Sequence, residues 1–106
     1  MEKKSFLPIG SLVRLKGGKR KLLIVGIHQR GSNDLVYDYS ACLYPFGYIN
    51  ADQMFLFNEK NIEEIISTGY SDEELKEYYD DVIWSIERDN SNEDINKNEN
   101  ENTENK

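Results

Sequence analysis

The sequence predicts an α+β fold, in which a small antiparallel sheet of about four strands, a meander or an SH3-like arrangement, is followed by two helices. Residues 11–57 alternate short apolar runs, partly β-branched, with turns built from Gly, Asn, Asp or Pro, which is the pattern of strands. Residues 58–90 instead space apolar side chains three or four positions apart, as helices do. A chain of 106 residues suits one modest core, which we expect in a single domain over residues 1–90.

Four apolar runs predict the strands. The first ends at Gly17-Gly18, and the second, residues 20–30, is apolar on both of its alternating faces at first. An apolar pattern on both faces is typical of a central strand whose two sides are covered. Short connections between consecutive runs favour antiparallel neighbours. The predicted strands span residues 11–15, 20–30, 35–44 and 48–57.

The first predicted helix follows Phe57. Asn58 can cap it, and Gly69 fits the position just beyond its C-terminal end. Phe57 and Ile62 occupy the two positions of a hydrophobic staple, which fixes the direction in which a helix begins. The other apolar positions of this predicted helix are Ile65 and Ile66.

The second predicted helix, about residues 72–89, begins with a capping box formed by Ser71 and Glu74. An apolar stripe runs along it from Leu75. Trp84 lies nine positions further, which at about 100° per residue places it roughly 180° away from Leu75, among acidic side chains. The only tryptophan of the chain is therefore predicted on the acidic side of an amphipathic helix.

The C-terminal residues 91–106 are rich in Asn and Glu and contain one apolar residue, Ile95. Such a segment cannot bury enough apolar surface to offset the entropic cost of ordering it. We therefore expect a disordered tail here. Tails of this composition mostly keep a protein in solution, and a contribution of the tail to binding is the alternative.

Charge is distributed unevenly along the chain, whose net charge is −7. Residues 1–30 carry eight Lys or Arg against one Glu, whereas residues 58–90 carry eleven Asp or Glu against three Lys or Arg. An acidic helical half repels the phosphate backbone, which disfavours general nucleic-acid binding. Cys42 has no second cysteine to pair with, and the longest apolar run, residues 22–27, is too short to span a bilayer. We expect a cytoplasmic protein without nucleic-acid or membrane partners.

No residue pattern in the chain points to catalysis. Residues 15–21 contain Gly-Gly-Lys, but Val13 and Arg20 stand where a phosphate-binding loop needs Gly and Ser or Thr. His28 is the only histidine and has no Cys/His cluster around it in the sequence. His28 and Cys42 are best interpreted as ordinary sheet residues. We expect no enzyme activity, no cofactor and no metal.

Four aromatic residues are candidates for binding a protein partner. Phe46 lies at the tip of a predicted turn between Tyr44 and Tyr48, and Trp84 lies on the acidic side of the second helix. Tyr and Trp are common interface anchors because they bury a large area with few rotatable bonds. In the alternative, Trp84 packs in the core, against the first helix or against a returning segment at residues 6–7.

Taken together, several runs of the chain resemble one small Firmicutes family, catalogued as domain of unknown function 4176. The likeness covers roughly residues 6–80. Family members often have an acidic residue in the Tyr-Pro-x-Gly turn, where this chain has Phe46. The runs that carry the resemblance are residues 7–11, 15–18, 42–45, 47–48, 57–58 and 69–70.

The resemblance implies a setting that composition cannot show. Members are encoded beside LXG toxins of Gram-positive type VIIb secretion systems and look like cytoplasmic accessory factors that bind the helical LXG region. No active-site residues come with the family. The function expected is an adaptor or targeting chaperone that binds the N-terminal helical region of an LXG toxin, with or without a small helical co-partner. The alternative is an immunity-type protein that neutralises a toxin domain.

Overall fold

The computed structural model describes the backbone of residues 5–96 and the side chains of residues 5–89. Two compact units are present: residues 5–72 form one, and the helix that begins at Glu73 belongs to the other. The first unit holds the sheet. The expectation of a single domain over residues 1–90 stays a prediction.

The first unit is a five-stranded antiparallel sheet in the spatial order β4-β3-β2-β1-β5. The α+β class and the antiparallel sheet are confirmed, but the structure has one strand more than predicted. The predicted strand at residues 48–57 is reduced to three residues and preceded by a 3₁₀ turn at Ala51–Gln53. The strands are β1 Leu12–Leu15, β2 Lys21–Arg30, β3 Val36–Leu43, β4 Phe55–Phe57 and β5 Ile62–Ser67.

Strand β2 is the central strand of the sheet, as the sequence indicates, but its apolar side chains do not all lie on covered faces. The pairing with β3 shifts between Ile24 and Gly26, so Val25 is an extra residue in β2. This β-bulge switches the face that alternate side chains occupy. Leu22 and Ile24 are buried before it and Ile27 after it, whereas Val25 is 41% exposed. The prediction that both faces of the strand are covered is therefore wrong at Val25.

The first predicted helix does not form. Asn58 is followed only by a 3₁₀ turn, Glu59–Asn61, in which Asn61 Oδ1 accepts a hydrogen bond from the Asn58 N–H at 2.9 Å. Ile62–Ser67 is strand β5, paired antiparallel with β1. The backbone hydrogen bonds available at the free edge of β1, together with three β-branched isoleucines, outweigh the helical spacing of a short segment.

Within the described residues, the one α-helix is α1, which spans Glu73–Asn96. Its start agrees with the predicted start near residue 72 to within one position, and its end lies beyond the predicted end near residue 89. Residues 91–96 of the predicted tail are therefore helical, because extending an existing helix adds one hydrogen bond for each residue fixed. Residues 97–106, the rest of the predicted tail, lie outside the described residues.

The Tyr39 side chain, which is fully buried, links several parts of the sheet unit. Its ring packs edge-on against Phe6, with ring centroids 5.9 Å apart, and lies 5.6 Å from the Phe57 ring. Its hydroxyl accepts a hydrogen bond from the Leu7 N–H at 2.8 Å and donates one to Glu59 Oε1 at 2.5 Å. Burial, together with the hydrogen bond to Glu59, raises the pKa of Tyr39 well above its ordinary value.

A second buried polar group, the Ser11 hydroxyl, forms hydrogen bonds with residues near both ends of the sheet unit. Ser11 Oγ donates to the Pro8 carbonyl at 2.7 Å and accepts from the Gly69 N–H at 3.0 Å. The side chain is fully buried. Gly69 lies so close to the chain at residues 9–10 that an added Cβ would be 2.9 Å from the Gly10 carbonyl carbon and closer still to the Ile9 carbonyl oxygen. We call these contacts the Ser11–Gly69 joint.

Gly69→Ala should therefore destabilise the protein, because its methyl group would overlap backbone atoms that cannot move independently. We expect a loss of about 1–3 kcal/mol in the free energy of unfolding, measured by urea denaturation. Gly18→Ala is the matched control, since the nearest atom to its added Cβ is 3.4 Å away. It should be neutral or stabilise by up to about 1 kcal/mol. Equal midpoints for the two variants would contradict the Ser11–Gly69 joint.

Tyr39→Phe should lower the free energy of unfolding by about 1–3 kcal/mol at neutral pH, because two hydrogen bonds are lost. The folded chain keeps the Tyr39 proton at a pH where the unfolded chain, with an ordinary pKa of about 10, has lost it. The stability that this proton provides is complete below about pH 10 and falls as the pH rises further. Wild-type stability should thus fall more steeply above pH 10 than that of Tyr39→Phe, and parallel pH profiles would refute this role.

Candidate functional site

The predicted aromatic residues of the sheet unit lie in the connection that follows β3. Tyr44 is 44% exposed, Phe46 58% and Tyr48 67%. The Gly47 N–H donates to the Leu43 carbonyl at 2.8 Å, and Gly47 has a φ of +78°, a conformation that favours glycine. The backbone thus turns sharply enough to place three aromatic side chains on the surface. We call residues 44–48 the aromatic turn.

Two cations, one at the end of the β1–β2 connection and one at the start of β2, lie over this turn. The Arg20 guanidinium carbon is 5.7 Å from the centroid of the Phe46 ring, and Lys21 Nζ is 5.6 Å from the centroid of the Tyr44 ring. These distances allow cation–π attraction. Neither Arg20 nor Lys21 forms a salt bridge with a carboxylate among the residues that the structure describes. The surface is therefore aromatic and positively charged.

An apolar cleft of about 190 Å³ lies beside Arg20, and we call it the sheet cleft. Its walls come from β1, β2, β3 and β4 and from the β1–β2 connection, so they are far apart in sequence. No local sequence pattern predicts it, because its only local signal is the basic Gly-Gly turn. The lining residues are Leu15, Gly18, Lys19, Arg20, Leu22, Leu43 and Phe55.

Trp84, the fourth predicted binding residue, is 59% exposed on α1. The Arg88 guanidinium carbon lies 4.8 Å from the centroid of its ring, and Asp81 and Glu87, one turn before and after it, are exposed. Tyr79, on the apolar stripe, is only 7% exposed. The indole is thus on the acidic side of the helix, where the sequence places it. Its role in binding stays a prediction.

Cys42 and His28, the two residues that could act in catalysis or metal binding, do not form a common site. Cys42 is buried, with Sγ 3.9 Å from the Leu23 carbonyl oxygen, and His28 is exposed on β2. Among the described residues, no group of three or more His, Cys, Asp or Glu could hold a metal ion. No helix within that part of the chain is long and apolar enough to cross a membrane. The absence of enzyme activity stays a prediction.

A family model described as Domain of unknown function (DUF4176) matches residues 6–78. The chain belongs to the DUF4176 family. The matched residues include all five strands, the Ser11–Gly69 joint, the aromatic turn and the sheet cleft, whereas Trp84 lies beyond them. No curated protein and no solved structure matches the chain.

If Trp84 is a surface residue, Trp84→Ala should change the free energy of unfolding by no more than about 0.5 kcal/mol. Tyr79→Ala, which truncates a buried ring on the same helix, should cost about 3–5 kcal/mol. Urea denaturation of both variants measures the difference in their free energies of unfolding. The tryptophan emission of the wild type at low protein concentration reports whether Trp84 is exposed to water. A large loss of unfolding free energy in Trp84→Ala, together with blue-shifted wild-type emission, would show that Trp84 is a core residue.

Proposed function

We propose that this DUF4176 protein is a cytoplasmic adaptor, or targeting chaperone, that binds the N-terminal helical region of an LXG toxin for export by a type VIIb secretion system. The genomic setting comes from the resemblance of the chain to its family. The surface of the chain supports a role in protein binding, because it exposes aromatic side chains of the kind that act as interface anchors.

The observation that carries the proposal is the exposure of three aromatic side chains in the aromatic turn. Apolar surface left in water forfeits roughly 25 cal/mol for each Å² that could be buried. A turn with a Pro-x-Gly sequence needs no aromatic residue to form, so formation of the turn alone does not account for Tyr44, Phe46 and Tyr48. Burial of these rings against a partner recovers that free energy, as at interface hot spots.

Trp84 offers a second anchor with different surroundings. Acidic side chains flank it, so its binding site on the partner should be apolar and bordered by Lys or Arg. Amphipathic helices can supply such a site, because they repeat apolar side chains every three or four residues with charged ones beside them. A helical toxin region therefore fits the chemistry of both anchors.

Co-purification with the separated halves of the adjacent LXG toxin tests the proposal. An adaptor should co-purify with the N-terminal helical half, whereas an immunity-type protein should co-purify with the C-terminal toxic half. Phe46→Ala and Trp84→Ala should each weaken binding of the helical half by about 2 kcal/mol or more. Calorimetric titration of the purified halves gives these differences.

Tyr70→Ala is the matched control, since Tyr70 is an aromatic residue outside the aromatic turn and is 80% exposed. It should bind the helical half like the wild type. Binding to the toxic half alone would contradict the adaptor function and support the immunity function. Equal affinity of the wild type, Phe46→Ala and Trp84→Ala for the helical half would support the proposed partner. It would contradict the proposed binding residues.

A further inference from the structure

Two surfaces of the chain have matching chemistry. The sheet cleft is apolar and has cations beside it, and the acidic side of α1 presents an exposed indole. We propose that two copies of this protein associate reciprocally, with Trp84 of each copy inserted into the sheet cleft of the other. The inference uses the same tryptophan as the proposed function but does not depend on the identity of the toxin.

The size of the sheet cleft suits one aromatic side chain. Its volume of about 190 Å³ is somewhat larger than an apolar cavity of roughly 150 Å³ that binds benzene. It is smaller than the roughly 300–1,000 Å³ of pockets for drug-sized ligands. Leu15, Leu22, Leu43 and Phe55 supply apolar walls. A single ring inserted here would lie against these apolar walls.

The cations beside the sheet cleft have no carboxylate partner among the described residues. Lys19 and Arg20 are exposed and lie on its border, and neither forms a salt bridge with a described carboxylate. Arg20 is held instead by the face of Phe46. An apolar group that enters this cleft is therefore favoured when carboxylates accompany it.

Trp84 brings such carboxylates. Asp81 and Glu87 lie three residues before and after it, are exposed, and form no salt bridge with any cation that the structure describes. Residues three apart share one side of a helix, so the indole and both carboxylates approach a partner together. Arg88 lies over the indole ring and offsets one of the two negative charges, so this side of the helix remains acidic. Trp84 is also the largest apolar side chain exposed on α1.

Reciprocal exchange gives each copy one donated helix and one occupied cleft, so the pair is closed under twofold symmetry. The two contacts reinforce each other, because the second forms within an already joined pair. Trp84 cannot occupy the cleft of another copy and a toxin site at once. Self-association and toxin binding through α1 therefore exclude each other.

Sedimentation velocity and tryptophan emission of the full chain, over a concentration range of about a thousandfold, test the proposal. The wild type should pass from monomer to dimer as its emission shifts to the blue, and added salt should weaken the dimer. Trp84→Ala, and the double variant Lys19→Glu/Arg20→Glu, should each raise the dimer dissociation constant about 30-fold or more. Lys60→Glu, at an exposed lysine in another turn, should dimerise like the wild type.

Mixing the two deficient variants provides a sharper readout. Trp84→Ala contains no tryptophan but has an intact cleft, and Lys19→Glu/Arg20→Glu has the tryptophan and a disabled cleft. Addition of the first should shift the emission of the second to the blue. The triple variant Trp84→Ala/Lys19→Glu/Arg20→Glu should produce no shift when added in its place.

Three results would overturn the proposal. They are a wild type that stays monomeric throughout, dimers that persist unchanged in both deficient variants, and an emission that is blue-shifted at every concentration. Thermal unfolding of each variant, compared with the wild type, verifies that loss of dimerisation does not come from unfolding. Toxin binding measured on the Lys19→Glu/Arg20→Glu variant separates this inference from the proposed function, since this variant keeps Trp84 and every residue of the aromatic turn.

Discussion

The Ser11 hydroxyl holds together parts of the sheet unit that are 58 residues apart in sequence. It accepts from the Gly69 N–H and donates to the Pro8 carbonyl, while the Ile24 N–H donates to the Ser11 carbonyl at 2.9 Å. A buried hydroxyl with both hydrogen bonds made costs little, and one left unpaired costs about 1–3 kcal/mol. The direction in which the chain enters β1 and leaves β5 is fixed by this group. Strand β1, which begins directly after Ser11, pairs with β5 on one side and with the central strand β2 on the other.

The sequence predicts those elements whose causes are local. Alternating apolar residues at 20–30 and 35–44 predict β2 and β3, and the punctuation around Ser71 predicts the start of α1 to within one residue. Strand β5 could not be predicted in this way, because Ile62, Ile65 and Ile66 fit a helical spacing equally well. The deciding influence is the unpaired edge of β1, about 50 residues earlier in the chain, as the Val13–Ile65 pairing shows.

The same distinction holds for the candidate site. Exposure of Phe46 follows from its place at the tip of a Pro-x-Gly turn, and exposure of Trp84 from its angle on the helix, so both were predictable. The sheet cleft needs Leu15, Leu43 and Phe55 to meet across four strands, which no local pattern encodes. The basic turn beside this cleft and the acidic side of α1 are surfaces of opposite charge, which we propose to be two docking surfaces.

Amide hydrogen exchange of the full chain, alone at low concentration and bound to the N-terminal helical half of the LXG toxin, tests the central claim most directly. That claim is that exposed aromatic anchors, not strand pairing, hold the partner. Binding should slow exchange at residues 42–49 and 77–88 and leave β5 unchanged. Protection confined to β5 would instead mean that the partner adds a strand to the sheet edge, and it would contradict the account.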